Sequence, residues 1–181
     1  MNIQVIAFDA DDTLWINEPY FREAEDAFAG LLADYLPEHS IQKELYATEI
    51  DNLRLYGYGI KGFTLSMIET ALRLTNHQLP PAIIQSILTI GKEMLDRPVE
   101  VMEGVSDLLN DLKSQYRLVV ATKGDLLDQE RKLSKSGLLN NFHHIEIMSD
   151  KQAKDYAKLI RHLDIAPDEF MMVGKIGRAH V

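Results

Sequence analysis

The sequence predicts an α/β protein in which a long helical insertion interrupts a parallel sheet. The apolar run Val5–Phe8 is typical of a strand that is buried on both faces, as in parallel sheets. After Pro98 the pattern alternates between helix and strand, which favours crossover connections between parallel strands. Residues 16–98 carry helical spacing throughout, so the insertion directly follows the first strand.

Size and composition limit the function classes. The chain has 181 residues, of which 46% are hydrophobic, enough for one core and a smaller second domain. With 19 basic and 28 acidic residues the net charge is −9, which disfavours a nucleic-acid partner. The lack of cysteine suits a cytoplasmic location, and no apolar run approaches the roughly 20 residues that would indicate a membrane partner.

The insertion, 16–98, is predicted to form a separate helical domain beside a core made of 1–15 and 99–181. Its first helix has apolar residues at Phe21, Ala24, Phe28, Leu31, Leu32 and Tyr35 and should end before Pro37. A second helix is predicted over 41–55. Pro80 and Pro81 separate two further helical patterns.

Three glycines within 56–63 predict a loop, in which Tyr58 and Lys61 are candidate substrate contacts. Core packing explains the aromatic residues of this segment, Tyr56, Tyr58 and Phe63, equally well.

Beyond the insertion, helices and strands alternate. We expect a helix over 105–116, a strand over 117–121, a helix through Leu126, Leu127 and Leu133, a strand over 144–148, a helix at 156–163 and a strand over 170–173. His143 and His144 have no acidic or histidine partner at metal-ligand spacing in the sequence, so we interpret them as structural.

Three carboxylates follow the first strand. Asp9 and Asp11 are two residues apart, so in an extended chain their side chains share one face at about 6.6 Å. Such a pair can hold a divalent cation, or can supply a nucleophile and an acid/base group. An ordinary turn or helix start made of Asp11, Asp12 and Thr13 is the alternative interpretation.

Polar residues also follow two other predicted strands. Thr122 and Lys123 follow the strand at 117–121, and Lys151 follows the strand at 144–148. A hydroxyl, freed backbone N–H groups and a lysine at one sheet edge can hold a phosphate and neutralise a transferring phosphoryl group. Taken singly, Thr122 is more often a helix cap, and Lys151, Lys154 and Lys158 are more often part of a solvated helix face.

Taken together, these motifs resemble the haloacid dehalogenase superfamily. Asp9, Asp11 and Thr13 match its first motif, Thr122 the second and Lys151 the third. The resemblance implies a Rossmann-like parallel sheet core with an inserted all-helical cap domain. It also implies that Asp9 is the nucleophile, that Asp11 is the acid/base, and that Thr122 and Lys151 hold the phosphoryl group. Mg²⁺ would be bound by Asp9 and the backbone carbonyl of Asp11. An acid at position 11 resembles the phosphatase branch.

The fourth motif departs from the family pattern, because no carboxylate follows Glu169. The segment 175–181 can be encoded by a string that contains a common sequencing-adapter read, so we predict that it is not native. Re-reading the gene from independent DNA tests this. We expect the 181-residue chain to have weak turnover or none.

The sequence therefore predicts a Mg²⁺-dependent phosphatase that acts on a small phosphomonoester through a phospho-aspartate, with the cap closing over the substrate. A non-catalytic phosphate- or metal-binding protein of the same fold is one alternative, and a phospho-accepting receiver domain is another. The long insertion and the position of both key acids on the first strand argue against the receiver domain.

Overall fold

The computed structural model of the chain describes residues 2–175. Four parallel strands form one sheet in the order β3-β2-β1-β4. The strands are β1 (Val5–Phe8), β2 (Arg117–Lys123), β3 (His144–Met148) and β4 (Phe170–Val173). Seven α-helices occur in the described part of the chain, so the predicted α/β fold with a parallel sheet is confirmed.

The strand that comes first in the chain lies in the middle of the sheet. All four residues of β1 are buried, as its continuous apolar run predicts. Phe8 pairs with Val120 of β2 on one side and with Val173 of β4 on the other. Apolar residues cover both faces of β1: Ile6 and Phe8 belong to one hydrophobic cluster, and Val5 and Ala7 to a second.

Between β1 and β2 the chain forms α1 (Glu18–Leu31), α2 (Glu38–Tyr56), α3 (Ile60–Leu74), α4 (Pro81–Asp96) and α5 (Val105–Leu112). Two further helices, α6 (Leu126–Lys135) and α7 (Ala153–His162), alternate with the later strands.

Two compact units divide the chain. Glu18–Arg97 forms the helical unit, and the remainder, with the sheet, forms the α/β unit. The helical unit has its own core, centred on side chains that include Phe28, Leu32, Ile41, Met67 and Ile87. Each unit therefore has the apolar interior that a domain requires.

Two expectations for the helical unit are wrong in detail. The first helix ends at Leu31, and Tyr35 lies beyond it with 44% of its surface exposed. The predicted loop over 56–63 is also shorter than expected, because α2 ends at Tyr56 and α3 begins at Ile60.

Gly62 accounts for the close approach of α2 and α3. A Cβ atom at this position would lie 3.0 Å from the carbonyl oxygen of Gly57. This glycine allows close packing between helices and does not interrupt one. Lys61 is exposed in the first turn of α3, and Tyr58 is exposed between α2 and α3. Phe63 is the aromatic residue of the segment that packs in the core.

In the α/β unit, α6 includes Leu126, Leu127 and Leu133, as predicted. Leu126 and Leu127 are 59% and 54% exposed. The buried residues of this helix are Asp128, Gln129 and Leu133. In addition, β2 extends past the predicted end at 121 to Lys123.

None of the helices in the described chain has the length and apolar character needed to cross a membrane. The prediction that 175–181 is not native stays a prediction. Residues 176–181 of this segment lie outside the described residues.

Candidate active site

The carboxyl ends of the four parallel strands bring the candidate residues to one edge of the sheet. Asp9 follows β1, Thr122 and Lys123 end β2, Lys151 lies three residues beyond β3, and Gly174 follows β4. In open α/β sheets this edge is where ligands bind. The topology thus assembles the site from segments that are more than a hundred residues apart.

Asp9 is held by backbone and side-chain contacts. Its N–H donates to the carbonyl of Val173 over 2.8 Å, which continues the β1–β4 pairing. Its carboxylate oxygen Oδ1 accepts hydrogen bonds from the backbone N–H of Ala10, at 2.9 Å, and from Nζ of Lys151. Within residues 2–175, no donor contacts the second oxygen, Oδ2. Asp9 therefore has one oxygen held by two donors and one that no described donor contacts.

Asp11 accepts hydrogen bonds from three donors. The indole Nε1 of Trp15 donates to Oδ1 at 2.8 Å, and Nζ of Lys132 donates to the same oxygen at 3.0 Å. Nε2 of Gln129 donates to Oδ2 at 2.8 Å. All three partners are donors, which matches the acceptor-only character of an ionised carboxylate. The orientation of Asp11 is thus set by Trp15 and by α6.

Asp12 and Thr13 form the turn that follows. Asp12 has a left-handed backbone, with φ of 57°, and its Oδ1 accepts from the N–H of Asn17 at 3.0 Å. The hydroxyl oxygen of Thr13 accepts from the backbone N–H of Lys175 at 2.9 Å. These two residues act as the turn interpretation expects, while Asp9 and Asp11 direct their carboxylates to other partners.

Thr122 is 2% exposed at the end of β2. Its hydroxyl makes a hydrogen bond of 3.4 Å to the carbonyl of Lys123 and does not cap α6. Asp125 caps that helix, since its Oδ1 accepts from the N–H of Asp128 at 3.1 Å. The helix-cap interpretation of Thr122 is therefore wrong.

Asp11 belongs to a partly buried ion-pair network with Lys132 and Asp128. Lys132 is 15% exposed and lies 3.0 Å from Asp11 and 3.4 Å from Asp128. Its Nζ also donates to Oδ1 of Asn17 at 2.9 Å. Burial raises the pKa of Asp128, the positive charge of Lys132 lowers it, and the negative charge of Asp11 raises it, with a net upward shift. The one lysine consequently offsets repulsion between two carboxylates.

Two further residues near the strand ends have shifted pKa values. Hydrogen bonds from the backbone of Lys151 and the side chain of Gln152 lower the pKa of Asp150, and the charges of Lys123 and Lys154 lower it further. Burial raises the pKa of Tyr156, to which the negative charge of Asp9 adds. The ring of Tyr156 packs beside that of Phe170, with centroids 6.5 Å apart.

Comparisons with known proteins agree with this geometry. A sequence model of the haloacid dehalogenase-like hydrolases matches residues 3–174. The chain belongs to the haloacid dehalogenase-like hydrolase family. A family hydrolase from Xanthomonas campestris is 43% identical with a TM-score of 0.91, over 96% of this chain and 73% of that one.

More distant solved structures share the fold. An L-2-haloacid dehalogenase is 17% identical with a TM-score of 0.69, over 97% of this chain and 79% of that one. A predicted phosphoglycolate phosphatase from Haemophilus somnus is 16% identical with a TM-score of 0.61, over 97% of this chain and 78% of that one. No curated protein matches the chain significantly. Family and fold support a hydrolase over the receiver-domain and non-catalytic alternatives.

The oxygen atoms at this edge of the sheet partly fit the Mg²⁺ ion that the family resemblance implies. Mg²⁺ prefers oxygen ligands, and Oδ2 of Asp9 is an oxygen without a donor in the described chain. The carboxylate of Asp11 accepts two hydrogen bonds on Oδ1 and one on Oδ2, which leaves about one of its four lone-pair sites for an ion. Its role as a metal ligand, by the side chain or by the backbone carbonyl, stays a prediction.

The structure brings some predicted site residues into contact and not others. Lys151 contacts Asp9, whereas Lys154 and Lys158 are exposed on α7, as the solvated-face interpretation predicts for them. Tyr58 and Lys61 belong to the helical unit.

Sequence reasoning missed Gln129 and Lys132 as partners of Asp11. One available signal was the i, i+3 spacing of the two residues on α6, directly after the strand that ends in Thr122.

Proposed function

We propose that this hydrolase is a Mg²⁺-dependent phosphatase that acts on a small phosphomonoester through a phosphorylated Asp9. The observation that carries the proposal is the carboxylate of Asp11, two residues beyond Asp9 and held by Trp15, Gln129 and Lys132. Transfer to and from an ester oxygen requires a group that gives and takes a proton, and a positioned carboxylate can serve. By the family resemblance, dehalogenases lack an acid at this position.

In the first step, Oδ2 of Asp9 attacks the phosphorus atom. The bond from phosphorus to the ester oxygen breaks, and that oxygen takes a proton from Asp11 as the alcohol leaves. Lys151 is placed to neutralise charge on the transferring group, because its ammonium already contacts Asp9. The product of this step is an aspartyl phosphate, which splits one difficult displacement into two.

In the second step, water attacks the phosphorus of the aspartyl phosphate. Asp11, now ionised, takes a proton from that water, and the bond between phosphorus and Oδ2 breaks to regenerate Asp9. The three donors around Asp11 suit this base form, because an ionised carboxylate is an acceptor only. Thr122 and Lys123, at the end of β2, are proposed to hold the non-bridging oxygens of the transferring phosphoryl group.

Mg²⁺, when bound by Asp9 and the backbone carbonyl of Asp11, would offset the negative charge that the two carboxylates and the phosphate bring together. Cytoplasmic action on a small molecule, without a nucleic-acid or membrane partner, fits the net charge of −9 and the lack of cysteine.

The test is a pair of matched substitutions assayed with 4-nitrophenyl phosphate and Mg²⁺. Since weak turnover at most is expected of the wild-type chain, Asp9→Asn should remove what turnover it has, because an amide is a poor nucleophile. Asp12→Asn makes the same chemical change three residues away, at a position where asparagine tolerates the left-handed backbone and its oxygen can still accept from Asn17. Asp12→Asn should therefore keep near-native turnover.

Mass spectrometry of the quenched reaction gives a second measurement that does not need rapid turnover. The wild-type chain and Asp12→Asn should gain the mass of one phosphoryl group, and Asp9→Asn should not. Chloride release from L-2-chloropropionate without phosphate release from the aryl ester would instead establish a dehalogenase. Equal phosphorylation of Asp9→Asn and wild type would remove Asp9 from the nucleophile role.

A further inference from the structure

A second group of potential ligands lies away from the catalytic edge of the sheet. His144 and Glu146 belong to β3, and His162 is the last residue of α7. One ligand atom from each of the three residues lies within 4.8 Å of the other two. The sequence interpretation of His144 as lacking a partner is therefore wrong, because Glu146 is two residues away and His162 is brought close by the fold.

The backbone fixes two of the three side chains. His144 and Glu146 are two residues apart on a strand, so both point to the same side of the sheet. Parallel pairing with β2 sets their register, with His144 opposite Val119 and Glu146 opposite Ala121. Nε2 of His144 lies 3.0 Å from Oε2 of Glu146, so these two potential ligand atoms are already adjacent.

The third side chain is placed by the packing of α7. Leu159 and Leu163, on either side of His162, are 1% and 6% exposed and pack in the cluster that covers one face of the sheet. Arg117 of β2 donates from Nη1 to the carbonyl of Leu163 at 3.1 Å, which ties this end of the helix to the sheet. The ring centroid of His162 lies 5.8 Å from that of His144.

We propose that His144, Glu146 and His162 form a binding site for a first-row transition-metal ion, with Zn²⁺ as the representative ion. Two imidazoles and one carboxylate are an established Zn²⁺ ligand set, whereas Mg²⁺ prefers oxygen ligands alone. The ion would occupy a position distinct from the Asp9 site, since these residues lie along β3 and at the carboxyl end of α7, and not beyond the strand ends.

The distances between the three ligand atoms require only a small movement of one side chain when Zn²⁺ binds. Ligand atoms about 2.1 Å from a tetrahedral ion lie roughly 3.4 Å from one another. The 3.0 Å distance between His144 and Glu146 is near this value, and His162, within 4.8 Å of both, has to approach by at most about 1.4 Å. Because His162 is exposed, rotation of its side chain can supply that movement and leaves the fourth position open to water.

Bound metal would join the end of α7 to an outer strand of the described sheet. The first turn of the same helix lies directly after Lys151, which contacts Asp9. A ligand that binds only the folded protein raises its apparent stability. We therefore expect Zn²⁺ to raise the unfolding temperature, and to do so without any contribution from Asp9.

The experiment is calorimetric titration of the untagged 181-residue chain with ZnCl₂ in the presence of excess MgCl₂. Wild type, Asp9→Asn and His39→Ala should each bind one Zn²⁺ at this site, because His39 is an exposed histidine of the helical unit. His144→Ala and His162→Ala should each weaken that binding by at least the roughly 10-fold that loss of an outer partner of a metal ligand costs.

Two further measurements separate a ligand defect from a folding defect. His162→Ala changes an exposed side chain, so its unfolding temperature without metal should match that of His39→Ala. Co²⁺ should give the intense visible absorption of a four-coordinate ion in wild type and not in His162→Ala. Absence of Zn²⁺ binding in wild type, or equal binding in wild type and His162→Ala, would overturn the proposal and leave an ordinary ion pair between His144 and Glu146.

Discussion

Gln129 donates a hydrogen bond from Nε2 to Oδ2 of Asp11 over 2.8 Å, and its own amide oxygen, Oε1, is buried without a hydrogen-bond partner among the described residues. Gln129 is 4% exposed, so its amide is held in place by packing as well as by this bond. Glycine at position 124 is part of that packing, because a Cβ there would lie 3.1 Å from Nε2 of Gln129. The position of the Asp11 carboxylate thus depends on α6.

Replacing Gln129 with glutamate should destabilise the fold and lower turnover. The substitution removes the donor and places a carboxylate against Asp11, where two acids cannot both ionise without cost. We expect the free energy of unfolding at pH 7.5 to fall by about 1–3 kcal/mol. Urea denaturation measures this, and the loss should be smaller at pH 5, where one of the two acids can take up a proton.

Gln115→Glu provides the matched control for that substitution. Gln115 is exposed beyond the end of α5, so the same change should alter stability little at either pH. Equal destabilisation by both substitutions, or no pH dependence for Gln129→Glu, would contradict the role assigned to the Gln129 amide.

Lys132→Met should be destabilising in a pH-dependent way. Burial already raises the pKa of Asp128, and loss of the Lys132 charge, which lowers it, would raise it further. When a carboxyl group has a higher pKa in the folded state than in the unfolded state, the protein loses stability as the pH rises from the unfolded-state pKa through the folded-state pKa. The free energy of unfolding should therefore fall by about 1–3 kcal/mol at pH 7.5 and by less at pH 5. Lys158→Met, on the exposed face of α7, should leave both values unchanged.

Gly174→Ala should impair the proposed nucleophile. A Cβ at this position would lie 3.1 Å from Cβ of Asp9, so Asp9 has to move by a few tenths of an ångström. We expect kcat with 4-nitrophenyl phosphate to fall several-fold, below the roughly 100-fold that a 1 Å displacement can cost. Gly30→Ala is the control, because a Cβ in this helical position meets nothing within 4 Å. Full activity of Gly174→Ala would show that Asp9 tolerates the contact.

The helical unit has a titrating group of its own. Burial, with a smaller contribution from the charge of Glu25, raises the pKa of Glu49 to about 7 from the ordinary 4.5. Between these values the folded state holds a proton that the unfolded state has lost, so stability falls as pH rises through this window. Glu49→Gln should remove that fall, which we expect to be about 1–3 kcal/mol after allowance for partial exposure of the group.

The Glu49 prediction is measured as a difference between proteins, since other carboxylates titrate in the same range. Urea denaturation at pH 5 and pH 8 should show a smaller pH dependence for Glu49→Gln than for wild type. Glu93→Gln changes an exposed glutamate in α4 and should retain the wild-type dependence. Parallel curves for all three proteins would contradict a raised pKa at Glu49.

Residues that follow short buried strands could be predicted from the sequence. Val5–Phe8 forms a strand because an unbroken apolar run with β-branched and aromatic members suits a doubly covered sheet. Once the strands are placed, the shared direction of parallel strands brings Asp9, Thr122 and Lys151 to one edge. Local pattern and topology together were sufficient for these positions.

Other positions depend on contacts that local patterns do not contain. The helical pattern of α6 does not show that the polar residues Asp128 and Gln129 are buried, where Asp128 interacts with Lys132 of the same helix and Gln129 with Asp11. His144 gained its partner His162 from the next helix. The glycines of 56–63 predict a loop, whereas Gly62 lies inside α3, where its small size permits two helices to approach.

The central position of β1 also has a consequence during synthesis of the chain. Phe8 pairs with Val120 and Val173, so more than a hundred residues must be made before this strand gains either neighbour. At a synthesis rate of about 5–20 residues per second, both edges of the apolar strand stay unpaired for roughly 5–20 s while the chain is made. Such non-local pairing slows folding and leaves the nascent chain open to aggregation. We therefore expect the yield of folded protein in cells to depend on chaperones that bind short apolar segments.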